Sequence, residues 1–371
     1  DWLLSLTQIG HARLLVDEQV VVDATGDVGR SKAFFGFGSD ETKGSVTLEA
    51  GQQYGLVVEY EPRAGFALSG LMIGAVPPVL SDEDLLVAAE TAAAAADAAV
   101  CVVGTTAEWE TEGHDRSTMD LPGLQGELVR RVVRANPRTC VLVNAGAPVT
   151  MDWAGEAPAV AQIWFPGEQG GEAAADVLLG EADPGGRLPT TIPHRLEDTP
   201  AFAHYPGDGG HVAYGEGLLI GYRHYDAGDV QPLWPFGHGL SYTTFALADL
   251  DVRLVGTFGG DALPPGLLGD GLVEVAVTAT NTGERAGTEV VQCYLGRQDR
   301  SSNEPVRQLR GVAKVSLAAG ESERLTIVLN ERSFARWDGV AHAFVATAGD
   351  YEIWVGRSSR DLPLAAAVTL G

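Results

Sequence analysis

Between residues 81 and 195, strand-length apolar runs alternate with helical segments, and this alternation constrains the fold more than any other feature of the chain. Ser81 can cap a helix that has Asp84 at its third position, and an alanine-rich run of high helix propensity follows as far as Ala98. A second helix is predicted over residues 122–135. A third helix is predicted to end at a C-cap at Gly180. The predicted strands lie at residues 99–104, 140–144 and 159–164. Because strands joined by helices run parallel, this region predicts an α/β open-sheet sandwich with both faces covered.

All-β sequence flanks this region on both sides. Residues 1–75 contain about five short apolar runs, with a hairpin predicted at Asp17-Glu18 and a boundary at Pro77-Pro78. After one more predicted strand at 188–192, residues 195–245 have no long periodic element and are predicted to be ordered coil. About seven strand-like runs then predict a C-terminal immunoglobulin-like β-sandwich of the fibronectin type III kind. The chain is therefore multidomain, with predicted domains at residues 1–76, 77–245 and 246–371.

The charge of the chain argues against two classes of partner. With 50 acidic and 25 basic residues the net charge is -25, whereas nucleic acids and anionic membrane surfaces attract clustered Lys and Arg. No apolar run reaches the roughly 18 residues of a membrane span, because Asp97 interrupts the longest candidate. Cys101, Cys140 and Cys293 have no metal-ligand spacing. We interpret them as buried thiols without a disulfide framework and expect a cytoplasmic protein.

A charged loop follows the first predicted strand of the α/β region, whose apolar sequence is typical of a fully buried strand. Its residues are Glu108, Trp109, Glu110, Thr111, Glu112, Gly113, His114, Asp115 and Arg116. Open α/β sheets bind ligands at the carboxyl ends of their strands, and three glutamates beside an Asp-Arg pair could perform acid/base chemistry. The alternative is an ordinary solvated loop. A second unusual segment, Phe34-Phe35-Gly36-Phe37-Gly38, could stack on a sugar, or could place two of its three rings in the core.

Several longer motifs occur in a definite order. They are Trp-Glu-Thr-Glu-Gly-His-Asp-Arg at 109–116, Met-Asp-Leu-Pro at 119–122, Trp-Phe-Pro-Gly-Glu-Gln-Gly-Gly at 164–171 and Asp-Pro-Gly-Gly-Arg-Leu-Pro at 183–189. In this order they resemble the C-terminal α/β sandwich domain of family 3 glycoside hydrolases. Pro-Phe-Gly-His-Gly-Leu-Ser-Tyr at 235–242 looks like that family's junction into its terminal fibronectin-like domain. Residues 1–75 resemble the second half of a PA14 module, which one branch of these β-glucosidases carries.

The resemblance implies a retaining, exo-acting β-glucosidase that acts on a β-glucoside. Such an enzyme places two carboxyl groups roughly 5 to 5.5 Å apart, one as nucleophile and one as general acid/base, and requires no metal or organic cofactor. In this family the nucleophile is an aspartate on a (β/α)8 barrel, and the acid/base is a glutamate on the sandwich-domain loop. The match implies Glu112 as the acid/base, with Glu110 and Glu108 as fallback positions.

The resemblance also suggests roles for the neighbours of this glutamate. Gly113 would let the backbone approach the sugar, and Asp115 and Arg116 could hold the loop or contact the substrate. Trp109 could pack under the loop or against the aglycone, and His114 could hydrogen-bond the acid or be exposed. In family members the PA14 module can form part of the aglycone subsite, which extends the predicted substrate contacts to Phe34, Phe35 and Phe37.

Nothing in the chain resembles the barrel. The first half of the PA14 module and the opening of the sandwich domain have no counterpart either, so we expect a piece of a longer polypeptide whose partner is the missing N-terminal barrel domain. The isolated chain should then have no glucosidase activity. The alternative is a non-catalytic carbohydrate-binding or scaffold protein built from the same modules. An unrelated enzyme is disfavoured, because no G-x-G-x-x-G, P-loop or G-x-S-x-G motif follows a predicted strand.

Overall fold

The computed structural model describes residues 1–78, 80–113, 115–259, 262–263 and 271–371. The chain divides into two compact units, Asp1–Phe165 and Pro166–Gly371. No helix within the described ranges is long and apolar enough to cross a membrane.

An antiparallel β module opens the first unit. Its strands are β1 (Trp2–Val16), β2 (Gln19–Ala24), β3 (Thr42–Val46), β4 (Leu56–Pro62) and β5 (Gly70–Val76), and a helical turn, α1 (Ala33–Gly36), lies between β2 and β3. The first half of β1 pairs with β3 and β5, and its second half pairs with β2 and β4. The predicted five strands are confirmed. The hairpin is confirmed as well, because Asp17 and Glu18 both have the positive φ that a two-residue type I′ loop needs.

Strand β1 passes from one set of partners to the other at Gly10. This residue has a φ of 131°, and a Cβ on it would lie 2.2 Å from the carbonyl oxygen of Glu61 on β4. Only glycine combines this backbone conformation with so close an approach. On either side of Gly10, the same strand supplies the fully buried Leu6 and Leu14 to the core of the module.

The α/β part of the first unit is short. It consists of α2 (Asp82–Ala95), β6 (Ala99–Gly104), α3 (Gln125–Ala135), β7 (Thr139–Asn144) and β8 (Ala159–Gln162). The strands run parallel in the order β6-β7-β8, as predicted. The hydroxyl oxygen of Ser81 accepts a hydrogen bond from the backbone N–H of Asp84 at 3.1 Å, which confirms the predicted cap. Helix α2 ends at Ala95 rather than at Ala98.

The prediction that β6 is fully buried is wrong for two of its side chains. Cys101 and Val103 are buried, whereas Val100 and Val102 are 53% and 59% exposed. Successive side chains of a strand point to opposite faces, so one face of β6 is covered and the opposite face is not. The predicted covering of both faces therefore does not hold at β6. Cys140 on β7 is half-buried rather than buried.

The second unit begins with a mixture of helix and coil. Its helices are α4 (Gly170–Leu179) and α5 (Tyr222–Gly228), with a 3-10 turn at Leu196–Asp198. Helix α4 ends, as predicted, at a left-handed Gly180. The strand predicted at residues 188–192 is only an isolated bridge between Ile192 and Trp234. The physical reason is that Pro189 and Pro193 have no N–H with which to extend a ladder.

A β-sandwich completes the second unit. Its described strands are β9 (Phe245–Leu254), β10 (Ala262–Leu263), β11 (Gly271–Asn281), β12 (Gly287–Arg297), β13 (Gln308–Leu317), β14 (Ser322–Asn330), β15 (Ala335–Asp338), β16 (Ala343–Ala346), β17 (Gly349–Gly356) and β18 (Leu364–Leu370). They form the sheets β14-β11-β9, β13-β12-β17-β18 and β10-β16-β15. The seven predicted strands are all present, whereas β9, β10 and β15 were missed. The last two are too short for a periodic pattern, and Asp249, with a positive φ, interrupts the register of β9.

Candidate active site

The candidate loop leaves β6 at a point that α3 holds in place. Gln125, the first residue of α3, donates from Nε2 to the carbonyl oxygen of Gly104 at 2.9 Å and accepts the N–H of Gly104 at 2.7 Å. Thr105 then donates its backbone N–H to the carbonyl oxygen of Asn144, at the end of β7, at 3.1 Å. The loop after β6 therefore begins beside the segment that follows β7.

Glu110 fastens the loop to that segment. Its Oε1 accepts hydrogen bonds from the hydroxyl of Thr105 and from the N–H of Gly146, the latter at 3.1 Å. The backbone of Gly146 can come this close to Glu110 because glycine has no side chain. A Cβ at this position would lie 2.6 Å from the ring of Phe165 and 2.8 Å from Oε2 of Glu110. The carboxylate of Glu110 is thus engaged in holding the loop.

The far end of the loop is fastened to the same segment. Arg116 donates from Nη2 to the carbonyl oxygen of Pro148 at 3.2 Å. Asp120 accepts hydrogen bonds from the hydroxyls of Thr150 and Thr118, the latter at 2.8 Å. These two bonds, with the one from Thr150 having the larger effect, hold the pKa of Asp120 below its ordinary value. Both ends of the loop are therefore held by residues 146–150.

Glu112 lies between these attachments. Its side chain is exposed and makes no hydrogen bond or ion pair with a residue in the described ranges. The next residue, Gly113, packs against the aromatic segment, because a Cβ on Gly113 would lie 3.3 Å from the carbonyl oxygen of Phe35. The fold therefore places the aromatic segment next to the charged loop.

The three phenylalanines of the aromatic segment differ in exposure. Phe34 packs on β5, since a Cβ on Gly70 would lie 2.7 Å from its ring. Phe35 is 70% exposed, and Phe37 is 44% exposed with its ring centroid 5.2 Å from that of Phe66. The alternative that two of the three rings belong to the core does not hold. Phe34 and Phe35 have φ values of 50° and 61°, which non-glycine residues seldom adopt, so the fold holds this segment in a strained conformation.

The other described residues predicted for the site are partly exposed or exposed. Glu108 is exposed, Trp109 is half-buried, and both line a cleft together with Arg116. Asp115 is exposed. His114 lies outside the described residues. The substrate or supporting roles predicted for these five residues stay predictions.

Sequence reasoning missed the residues that hold the loop. Asp120 was noticed only as part of a motif and was given no role. Gly146 carried a weak signal, because a glycine just beyond a strand often permits a close backbone approach. No sequence pattern marks Gln125 or Thr150, since the groups that they bind lie on other segments of the chain.

Residues 20–242, more than half of the chain, match the profile of the glycosyl hydrolase family 3 C-terminal domain. The chain belongs to glycosyl hydrolase family 3. Residues 289–359 of this family 3 chain match the fibronectin type III-like domain. The resemblance that the motifs indicated is thus confirmed for the α/β domain and for the C-terminal sandwich.

Relatives of this family 3 chain carry the name beta-glucosidase. The probable beta-glucosidase I of Aspergillus terreus is 40% identical over 368 residues, which are 96% of this chain and 43% of that protein. The beta-glucosidase of Rhizobium radiobacter is 39% identical over 376 residues, 99% of this chain and 44% of that protein. The structure of the Kluyveromyces marxianus beta-glucosidase in complex with glucose has a TM-score of 0.91 at 34% identity, over 100% of this chain and 43% of that one. The chain therefore spans less than half the length of these relatives.

Proposed function

We propose that this chain supplies the acid/base half of a retaining β-glucosidase, with Glu112 protonating the departing glycosidic oxygen. The observation that carries the proposal is the different surroundings of the three loop glutamates. Glu110 accepts the two hydrogen bonds that hold the loop, and Glu108 lines the cleft at its base. Glu112 has no partner in the described ranges and stands next to the contact with Phe35. Glu108 is also without a partner in the described ranges, so the choice of Glu112 over Glu108 rests on the position of Glu112 beside the contact with Phe35.

The chemistry requires a second carboxylate, which we place on a barrel domain outside this chain. It attacks the anomeric carbon while Glu112 protonates the leaving oxygen. Glu112 then removes a proton from the water that displaces the enzyme carboxylate from the glycosyl intermediate. One carboxyl group cannot both attack and protonate, so the isolated chain should release no nitrophenol from an aryl β-glucoside.

The substrate class is inferred from the relatives, which are named beta-glucosidases and of which one was crystallised with glucose. We also infer that residues 1–76 form a PA14-like module in which Phe35 and Phe37 contact the aglycone. The exposure of both rings and the packing of Gly113 on Phe35 support this role. No observation favours a non-catalytic carbohydrate-binding or scaffold protein instead.

The decisive experiment introduces Glu112→Gln into the full-length polypeptide. Turnover of cellobiose, which has a poor leaving group, should fall about 100- to 10,000-fold, the usual contribution of a general acid. Formation of the glycosyl intermediate from a dinitrophenyl glucoside should fall far less, because that leaving group needs no protonation. Azide should restore turnover of the aryl substrate, since it attacks the intermediate without a general base. The measurement is kcat for both substrates with and without azide.

The control is Glu90→Gln at an exposed position on α2, which should behave like the parent protein on both substrates. Glu110→Gln tests the nearest fallback position and should not discriminate between leaving groups. Equal losses on both substrates for Glu112→Gln, or azide rescue of Glu110→Gln alone, would contradict the assignment.

A further inference from the structure

Three arginines of the second unit form a cluster that has no carboxylate partner. Arg223 is on the first turn of α5, Arg310 is on β13, and Arg332 is on the 3-10 turn that follows β14. The fold holds α5 against β13, because the hydroxyl oxygen of Tyr222 accepts the backbone N–H of Leu309 at 2.7 Å. None of the three guanidinium groups forms an ion pair within the described ranges.

Arg310 carries a donor that the protein leaves unsatisfied. Its Nε is buried and has no hydrogen-bond partner among the described residues, while its Nη2 donates to Oε1 of Gln308 at 3.1 Å. Burial lowers the pKa of the Arg310 guanidinium, and the charges of Arg223 and Arg332 lower it further, so the three cations are near enough to repel one another. A buried donor of a charged group is costly to leave unpaired, and such groups are normally satisfied by protein, water or a ligand.

The other two guanidinium groups of the cluster lie near aromatic rings. That of Arg223 is 5.9 Å from the centroid of the Tyr222 ring, and that of Arg332 lies over the ring of Phe344. Both arginines are half-buried, and neither side chain donates a hydrogen bond in the part of the chain that the structure describes. A ring accommodates the charge of a guanidinium but supplies no oxygen acceptor for its five N–H donors.

Two arginines beside the cluster are satisfied in the ordinary way. Nε of Arg307 lies 3.0 Å from Oδ2 of Asp226, and Nε of Arg360 lies 3.1 Å from Oδ1 of the same carboxylate, whose side chain is fully buried. The fold thus supplies a carboxylate to these two residues and none to the cluster. A shortage of acids does not explain the difference, because the chain carries 50 acidic residues against 25 basic ones.

We infer that Arg223, Arg310 and Arg332 form a site for an oxyanion of the carboxylate or phosphate class. The oxygens of such an anion match the planar fork of a guanidinium and accept charge-assisted hydrogen bonds from donors such as Nε of Arg310. An uncharged ligand could also accept these bonds, but only an anion offsets the repulsion among three like charges. Two sources can supply it, a carboxylate of the N-terminal part of the full-length polypeptide and free phosphate. The site lies within the second unit, whereas Glu112 belongs to the first, so the inference is independent of the proposed function.

The first measurement is amide hydrogen exchange of α5 and β13 in the 371-residue chain, in sodium phosphate and in sodium chloride of the same ionic strength. A ligand that binds only the closed site slows exchange by the factor 1 + [L]/Kd, so about 20 mM phosphate should slow it about 20-fold for a Kd of about 1 mM. The chloride sample accounts for simple screening of the arginine charges.

Variants of the cluster test whether the arginines cause this protection. Arg223→Gln and Arg332→Gln each remove a charged donor, so each should raise the Kd for phosphate about tenfold and reduce the protection to about threefold. Lys314→Gln, which removes an exposed cation from β13, is the matched control and should keep the full protection. Circular dichroism of every variant verifies that the fold is intact.

The same exchange in the full-length polypeptide identifies the source of the anion. If a carboxylate of the N-terminal part fills the site, phosphate adds no protection there, and Arg332→Gln accelerates exchange about tenfold in the full-length polypeptide but not in the phosphate-free 371-residue chain. If phosphate slows exchange in the full-length polypeptide as well, the site takes the free anion.

Two results would overturn the inference. One is protection of the 371-residue chain by phosphate that does not exceed the protection by chloride. The other is full protection by phosphate in the folded double variant Arg223→Gln/Arg332→Gln, which would place the anion elsewhere. Neither result involves turnover, so the test of Glu112 in the full-length polypeptide stays independent.

Discussion

Replacing Glu110 by alanine should loosen the candidate active-site loop while leaving the proposed acid in place. Oε1 of Glu110 accepts hydrogen bonds from the hydroxyl of Thr105, a buried residue, and from the N–H of Gly146. A hydrogen bond to a charged group contributes about 1.5 to 3 kcal/mol. Because the loop is partly exposed, we take the lower figure for each bond, which predicts a loss of about 3 kcal/mol for Glu110→Ala.

Glu110→Gln retains an oxygen that can accept both hydrogen bonds but removes the charge. Charge-assisted bonds are roughly twice as strong as neutral ones, so the expected loss is about 1.5 kcal/mol. Amide hydrogen exchange of residues 105–118 is the suitable assay, because a chain of two units need not unfold in one transition. Where exchange follows the opening equilibrium, it should accelerate about 150-fold in Glu110→Ala and about tenfold in Glu110→Gln.

Glu112→Gln provides the matched comparison. Its parent carboxylate has no partner within the described ranges, so exchange of the loop should stay at the parent rate. The reasoning is refuted if Glu110→Ala leaves exchange of residues 105–118 unchanged. It is refuted equally if Glu112→Gln accelerates that exchange as much as Glu110→Ala does.

Three other features give measurable expectations. The pKa of Asp120 is lower in the folded state, so the stabilisation from this carboxylate is present above the unfolded pKa of about 3.9 and is lost as the pH falls through the folded pKa. In the parent protein, the protection of the loop against amide exchange should therefore fall below about pH 4, and in Asp120→Asn that loss of protection should be smaller. Gly10→Ala should lower the free energy of unfolding of the first unit by about 2 kcal/mol or more, because the new Cβ would meet the carbonyl oxygen of Glu61; an unchanged urea midpoint would contradict this. Burial raises the pKa of the Cys293 thiol to about 12, so this residue should resist thiol reagents until the second unit unfolds, whereas half-buried Cys140 should react first; early labelling of Cys293 would show that the core is open.

Local features of the fold were readable from the sequence because their causes are local. The cap at Ser81, the hairpin at Asp17-Glu18 and the left-handed Gly180 each depend on a few neighbouring residues, and all three were predicted correctly. Burial was predicted less well. Nothing in the apolar run of β6 shows that Val100 and Val102 lie on an uncovered face, since that depends on what packs against the strand.

The sequence by itself determined the family, the order of strands and helices, and the loop at the end of β6 that carries three glutamates. Motif order and side-chain periodicity suffice for these, because both are properties of the linear chain. Only the tertiary structure separated Glu110, which is bound to Gly146, from Glu112, which is free of partners within the described ranges and adjacent to the contact with Phe35. The two are the same residue type, two positions apart, and what distinguishes them is supplied by residues distant in sequence that the fold brings next to the loop.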